Sequence, residues 1–530
     1  MIESDVSTGY GAPRSECFYQ VYVRSFADSD GDGVGDLEGL RSRLAYIGAL
    51  GVDGILLSPC FASPQFDHGY DVADYFKIDP LYGTLPDMDL VLAEAHRRNL
   101  LVLLDIIPNH CSSKHAWFET AVRSQPGSPL RQRFLFARGR GPHGDSPPNN
   151  WRSYFGGPAW SRSPRDHTGE WYFHLFGTEQ PDFNWRSTDV QELFDRVLEF
   201  WLHRGVDGFR IDAAHALCKA AGLPDVPGLD QIRDPNEAIR INPHIIDQPE
   251  VHEVWRRWRA LINSLKPEAR LVGEIWVDTP QAQQAYLGPD ELHEAFVFGL
   301  MYTPWTANAL AETIRSLHDA FAANGRLPSW VLSTHDESRV VTRMGNGHVG
   351  LSRARGLALL ALALPGNYYL YNGEELGLPT VDISKRHIQD PLFALTGRTR
   401  DGCRVPLPWT IRSQSNYGFS SRETASCSWL PQPDWWGELS LEAQEPEFSS
   451  TLSLYRQALI LRRRIWGGLH SLQVDDAVVS FHRGNEFMCI TNTGDTPKRL
   501  NLDGDVLLVS EGRDSLWLPS NATLWLRTRS

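Results

Sequence analysis

Three acidic residues each close an apolar segment: Asp212 in GFRIDAAHAL, Glu274 in LVGEIW and Asp336 in VLSTHDESR. A carboxylate is costly in apolar surroundings unless it is paired or used, so three at segment ends mark a reaction centre. Cleavage of a glycosidic bond needs such acids on either side of the scissile bond. One attacks as nucleophile while another gives and later takes back a proton. Arg210 lies two residues before Asp212, hence on the same strand face, where its charge would favour ionised Asp212. His110 stands at the end of a further apolar segment, and His335 immediately precedes Asp336.

The elements that must position these residues follow from patterning. Apolar, β-branched-rich runs at 18–26, 52–59, 100–107, 208–213, 270–276, 295–298, 330–333 and 368–371 read as strands. Amphipathic helices alternate with them. Val190, Leu193, Phe194, Val197, Leu198, Trp201 and Leu202 follow helical spacing, as do Met88, Val91, Leu92 and Ala95. Strand–helix alternation implies parallel pairing, which suits an open sheet as well as a closed barrel. The polar residues decide: Asp105, Asn109, His110, Arg210, Asp212, Glu274, His335 and Asp336 all fall at or just after C-terminal strand ends, which converge on one mouth in a (β/α)₈ barrel. The expected fold is α/β, a (β/α)₈ barrel with a long insertion after strand 3 and a C-terminal antiparallel β domain.

The barrel is expected over 1–110 and 187–465, the Gly-, Pro- and Trp-rich insertion over 111–186, and the β domain over 466–530, where short alternating strands at 478–482 and 487–491 are bounded by turns. At 530 residues the chain exceeds what one core usually supports. A net charge of -14 argues against a polyanion-binding surface, so nucleic acid is not an expected partner. The longest apolar run, 356–364, is stopped by Pro365 and Gly366, and residues 1–15 lack the apolar core of a signal peptide. No membrane association is expected. Seven cysteines without a CxxC pair point to a reducing cytoplasm.

DIIPNH (105–110), GFRIDAAHAL (208–217), GEIW (273–276) and THD (334–336) resemble, in order, the four signature regions of the α-amylase family, glycoside hydrolase family 13. QPDFNW (180–185), GYDVADY (69–75), YNGEELG (371–377) and RDGCRVPLPW (400–409) are similar to segments of its bacterial α-glucosidase and oligo-1,6-glucosidase branch. The resemblance implies Asp212 as nucleophile, Glu274 as the acid/base that starts the reaction protonated, and Asp336 as a third carboxylate gripping sugar hydroxyls. His110 and His335 would bind the same glucose, and Tyr70 would lie beneath its ring. Asp71 and Arg400 resemble the pair that holds the far hydroxyl of a terminal glucose, with Arg404 an alternative in the same segment. The small residue Ala213 after the nucleophile resembles relatives that prefer α-1,4 over α-1,6 bonds.

The loop 28–36 places carboxylates at alternate positions with glycines between, oxygen ligands that suit hard cations. It opens like an EF-hand loop but has Gly39 where that motif needs a bidentate Glu. By resemblance it is a structural Ca²⁺ site, or Mg²⁺ in its place, formed by Asp28, Asp30, Asp32, the Val34 carbonyl and Asp36; no organic cofactor is implied. Expected substrates are small α-glucosides: maltose, maltooligosaccharides, sucrose and aryl glucosides. The expected state is a monomer or weak homo-oligomer. The chain departs from most relatives at Thr334, where Asn is usual, and at Glu337 and Ser338. A transglucosylase or sugar isomerase such as trehalose synthase is the first rival reading; a non-catalytic binding or scaffold protein is a remote one.

Overall fold

The computed structural model describes residues 15–163, 165–421, 427–500, 504–512 and 517–529. The N-terminal residues 1–14, most of the stretch tested above for a signal peptide, lie outside the described residues.

Eight parallel strands close into a barrel: β1 (Cys17–Val21), β2 (Gly54–Leu57), β3 (Leu101–Ile106), β4 (Gly208–Ile211), β5 (Arg270–Gly273), β6 (Glu294–Val297), β7 (Ser329–Val331) and β8 (Asn367–Tyr371). Each pairs with its sequence neighbours, and β8 pairs with β1 through Cys17 and Tyr368. The strands are buried on both faces, which is why they read as unbroken apolar runs. Phe18, Leu56, Leu103, Val272, Phe296, Val331 and Tyr369 fill the interior, with Phe18 and Tyr369 stacked at 5.2 Å. Residues one position along, Tyr19, Ile55, Val102 and Leu104, face the outer helices.

A helix follows each strand: α1 (Leu37–Leu50), α2 (Leu85–Arg97), α3 (Thr188–His203), α4 (Val251–Leu265), α5 (Pro280–Ala285), α6 (Ala307–Ala322), α7 (Gly347–Ala363) and α8 (Thr451–Arg462). The buried face of α3 is the stripe from Val190 to Leu202 predicted from spacing. α2 buries Met88, Val91, Leu92 and Ala95 and begins with a capping box between Thr84 and Asp87. The apolar run 356–364 belongs to α7, buried along its second half. It lies between the barrel and the C-terminal sheet, whose Trp525 and Thr523 donate to the carbonyls of Leu359 and Gly356 at 3.0 and 2.7 Å. Among the described residues no helix is long and apolar enough to cross a membrane.

That sheet is antiparallel, ordered β9-β10-β11-β13-β12, with β9 (Leu469–Asp475), β10 (Val478–Arg483), β11 (Phe487–Asn492), β12 (Gly504–Val509) and β13 (Ala522–Thr528). Between β3 and α3 the chain forms a small antiparallel sheet from Phe136–Arg138, Glu170–Phe173 and Trp160–Ser161. Its Trp151, Trp160, Phe173 and Leu175 pack in one cluster with Ala213 and Ala216, just beyond β4. The insertion is therefore seated on the segment that carries Asp212. A buried ion pair adds to this: Lys219 Nζ lies 2.6 Å from Asp182 Oδ2 and also donates to Asn109 Oδ1 at 2.8 Å.

The strands are shorter than predicted at their C-terminal ends. The run 18–26 stops at Val21 and continues as a 3₁₀ turn, Val23–Ser25, and the run 270–276 stops at Gly273. Apolar character persists past the last ladder bond because the loops above the barrel are buried as well.

Candidate active site

Arg210 is the hub. Fully buried within β4, it bonds both oxygens of Asp105 on β3 at 2.7 Å and Oδ1 of Asp212 at 2.8 Å through Nη1, and Oε2 of Glu274 at 2.6 Å through Nη2. Asp212 is the first residue beyond β4 and Glu274 the first beyond β5, so neighbouring strand ends present the two carboxyls side by side. The backbone N–H of Ala213 points at Glu274 Oε2 at 3.4 Å, and Ala214 N–H donates to the Glu274 carbonyl at 2.9 Å.

Arg210 is expected to hold Asp212 ionised, and its pull is opposed by burial. Burial raises Asp212 well above the ordinary carboxylate range; Arg210 opposes this, while Glu274, Asp105 and Asp336 add repulsion. Burial likewise pushes Asp105 up to about 7. Asp105 and Asp212, both bonded to Nη1 of the same guanidinium, are thus each pushed toward the protonated form by burial and by one another.

Asp336 is held in the opposite state. Burial would raise it, but His335, Arg400, Arg404 and Arg210 outweigh burial and hold it well below the usual range. Its Oδ1 receives Arg400 Nη1 at 3.1 Å and Arg404 Nη2 at 3.0 Å, and its Oδ2 lies 3.1 Å from His335 Nε2. His335 is neutral, lowered to about 3 by burial, and is clamped between the rings of Tyr70 and Tyr22 at 5.1 and 5.4 Å. Burial lowers His110 to about 4; its Nε2 lies 3.0 Å from the carbonyl of Tyr70. Tyr70 in turn donates to Asp105 at 3.0 Å.

These groups line a cleft of about 990 Å³. Asp212, Glu274, Asp336, His110, His335, Tyr70 and Arg400 all face it. Arg210 lies beneath its floor. Asp71 does not reach it: fully buried, it accepts from Ser63 Oγ and the backbone N–H groups of Phe66 and Asp67 at 2.9, 3.0 and 2.9 Å, bracing the turn. The pairing of Asp71 with Arg400 is therefore corrected. Arg400 Nη2 lies 2.7 Å from Asp67 Oδ1, and Asp67 lines the cleft. His68 and Gly69, both at positive φ (51° and 105°), reverse the chain between the two acids and send their side chains to different places. Arg404 stands behind the wall, bonding the His335 carbonyl, whereas Arg400 faces the cleft and is fixed by Asp390. Asp67, Asp390 and Lys219 are residues in or behind this cleft that sequence reasoning missed. Asp67 lies two residues before the GYD motif and four before that motif's own acid, Asp71.

In the loop 28–36, ligand oxygens of Asp28, Asp30 and Asp36 lie within 4.8 Å of one another. Asp32 is outside this group; its Oδ1 accepts the Val34 N–H at 2.8 Å. Asp36 also caps α1 through Gly39 N–H. Three converging hard oxygens fit a divalent cation, with Asp32 and the Val34 carbonyl beside them on the same turn.

A family model described as "Alpha amylase, catalytic domain" matches residues 20–466. The chain is 36% identical over 506 residues to a probable alpha-glucosidase of Rhizobium meliloti, covering 91% of this chain and 89% of that one. It is 31% identical over 517 residues to an oligo-1,6-glucosidase of Parageobacillus thermoglucosidasius, with 89% of each covered. Among solved structures, the alpha-glucosyl transfer enzyme XgtA is 33% identical with a TM-score of 0.86, covering 98% of this chain and 100% of that one. A family match across most of the chain, and relatives above 30% identity over nearly its whole length, agree with a closed barrel whose mouth gathers these acids: the chain is a glycoside hydrolase of the α-amylase family, in its α-glucosidase-like branch.

Proposed function

We propose that the protein is an exo-acting, retaining α-glucosidase that removes terminal non-reducing glucose from short α-glucosides, with α-1,4 bonds preferred. The observation that carries this reading is the clamping of Asp212 and Glu274 on the two terminal nitrogens of Arg210, in a cleft bounded at one side by the Asp67–Arg400 pair. Asp212 attacks the anomeric carbon and the bond to the leaving oxygen breaks as Glu274 delivers its proton there. A β-glucosyl ester of Asp212 results. Water then attacks the same carbon, Glu274 takes the proton, the ester bond breaks, and glucose leaves with its α configuration retained. Asp336, anionic and held by Arg400 and Arg404, binds ring hydroxyls and favours the developing positive charge. The test is a panel of maltose, isomaltose, sucrose, trehalose and starch. Release of α-glucose from short substrates supports the reading, whereas release of the β-anomer or internal cleavage of starch contradicts it.

Transfer to a sugar acceptor is the second reading, favoured by Trp276, which lines the cleft beyond Glu274 and stacks on Phe298 at 4.0 Å as a flat platform for a ring. New disaccharides at high substrate concentration would support it. We also assign Asp28, Asp30 and Asp36, with Asp32 and the Val34 carbonyl, to a structural Ca²⁺, whose part would be to stabilise the loop leading into α1. The catalytic barrel is taken as 1–110 and 187–465, the insertion as 111–186 and the β domain as 466–530. A cytoplasmic location is supported by seven free cysteines, six of them buried.

A further inference from the structure

We propose that the open side of the cleft selects α-glucosides whose aglycone carries an anionic group, a carboxylate or a phosphate. This rests on the assignment of Asp212 and Glu274 as the reacting pair. Segments from three parts of the chain line that side: the insertion, the β4–α4 connection and the β8–α8 connection. Each brings arginine to the lining, Arg152 from the first, Arg233 and Arg240 from the second, Arg398 from the third.

The inner carboxylates of the cleft are already held by arginine. Asp67 and Asp336 are bound by Arg400, and Asp212 and Glu274 by Arg210. Of the outer acids, Asp234 accepts the Asn236 N–H as a helix cap, Asp278 lies 3.8 Å from Arg240, and Glu337 is hydrogen-bonded by Tyr302. Arg152, Arg233 and Arg398 have no side-chain hydrogen bond or ion pair among the described residues, and Arg233 and Arg398 are exposed. Three uncommitted guanidinium groups thus surround one cleft in a chain of net charge -14. A guanidinium fork matches a carboxylate or phosphate with two parallel hydrogen bonds, a geometry that neutral sugar hydroxyls do not need. The acidic surface as a whole repels anions, so a local positive rim is what would admit and orient one.

The experiment compares matched α-glucosides on the intact enzyme: 4-carboxyphenyl against 4-carbamoylphenyl α-glucoside, and maltose phosphorylated on O6 of its reducing glucose against maltose. The first pair isolates carboxylate and the second phosphate. The carboxylate makes the poorer leaving group of the aryl pair, so a faster reaction cannot come from leaving-group chemistry. The expected result is a kcat/KM about tenfold higher for the anionic member of at least one pair, shrinking as salt rises. In the triple variant Arg152→Ala, Arg233→Ala, Arg398→Ala the anionic-to-neutral ratio should fall to about one. The ratio makes the neutral substrate an internal reference for any loss of fold. Equal or slower turnover of both anionic members, or a preference that survives the triple variant, overturns the proposal while leaving the α-glucosidase reading intact. Failure to cleave any of the four overturns both.

Discussion

Arg400 Nη2 stands 2.7 Å from Oδ1 of Asp67, and the same guanidinium reaches Asp336 Oδ1 at 3.1 Å through Nη1. One arginine therefore ties the wall built after β2 to the acid carried beyond β7, with Asp390 fixing the arginine from behind. The boundary of the glucose site is a bridge between two loops and depends on both.

From this bridge, Asp67→Asn should lower kcat/KM for maltose roughly 10- to 100-fold, the size expected for a lost charge-assisted hydrogen bond to substrate. The kinetic loss should outweigh the loss of stability, because the amide oxygen of Asn can still accept from Arg400 Nη2. Asp71→Asn should do the reverse, because Asp71 braces the turn through three hydrogen bonds and does not meet the cleft. A loss of ~1–3 kcal/mol in stability, with a smaller kinetic effect, is expected there. Kinetics and thermal melts on both variants decide it; a larger kinetic loss at Asp71 than at Asp67 would restore the original pairing.

Asp212→Asn should cut turnover about a thousandfold or more, since no other group on the cleft floor can form the glucosyl ester. Glu274→Gln should be selective. Maltose, with a poor leaving group, should lose far more than 4-nitrophenyl α-glucoside, which departs without a proton. Equal losses on the two substrates would remove Glu274 from the role of acid.

The barrel was legible because strands buried on both faces leave unbroken apolar runs, and the catalytic acids because each interrupts the end of such a run. What escaped was decided by local backbone direction and by long-range pairing. Asp67 and Asp71 are four residues apart in sequence, and only the positive φ of His68 and Gly69 determines which one faces the cleft. Asp390 shows its use only when Arg400, on the β8–α8 connection, reaches the β7 loop, and Lys219 only when the insertion brings Asp182 over Asn109. The gathering of Asp105, Asp212 and Glu274 around Arg210 likewise needs three strands side by side. Apolar runs overshot the strands, as at 270–276, because a buried loop and a buried strand have the same composition.

Stability should fall as pH drops from 7 to 5, in part through His293. Burial, reinforced by Arg259, Arg270 and Arg326, lowers it to about 3, and its neutral Nδ1 accepts the N–H of Leu271 on β5. Below its unfolded value of roughly 6.5 the unfolded chain binds a proton that the folded chain refuses until near 3, so stability present above that value is lost on acidification. Asp105 and Glu374, each raised by burial to about 7, pull the other way, because the folded state takes up their protons first. The difference between wild type and His293→Gln isolates one group: the variant's free energy should fall less steeply by ~1.4 kcal/mol per pH unit below pH 6. Parallel stability–pH curves would show that His293 does not contribute.

Calcium should raise the melting temperature of the wild type and chelation lower it, with little change in kcat. Asp30→Asn is the discriminating variant, since Asp30 is exposed and its side chain only accepts from Asp32 N–H, a bond the amide can keep. It should melt near the chelated wild type and no longer respond to calcium. A calcium response that survives this change would place the ion elsewhere.

Ala213, by its position, bears on the linkage preference proposed above. It follows Asp212, lines the cleft and points its N–H toward Glu274, and its φ of 45° lies in the left-handed region. A methyl side chain tolerates that conformation at some cost, but a β-branched one is strained there. In similar α-glucosidases Val at this place accompanies α-1,6 cleavage, so the small residue here points to maltose over isomaltose. The preference should be roughly 10- to 200-fold in kcat/KM, the value of a methyl or two against a leaving sugar. The boundary formed by Asp67 and Arg400 should also make maltose and short maltooligosaccharides better substrates than starch. Ala213→Val should narrow the maltose preference and lower stability by ~1–2 kcal/mol through the backbone. Ala213→Gly, free of that strain, should melt no lower than the wild type if φ sets the cost. Kinetics on maltose, isomaltose and soluble starch with thermal melts of the three proteins separate wall from backbone. If isomaltose is the better substrate of the wild type, the wall beside Ala213 does not govern linkage; if the glycine variant melts well below it, packing against Trp151 and Phe173, not backbone conformation, holds this residue in place.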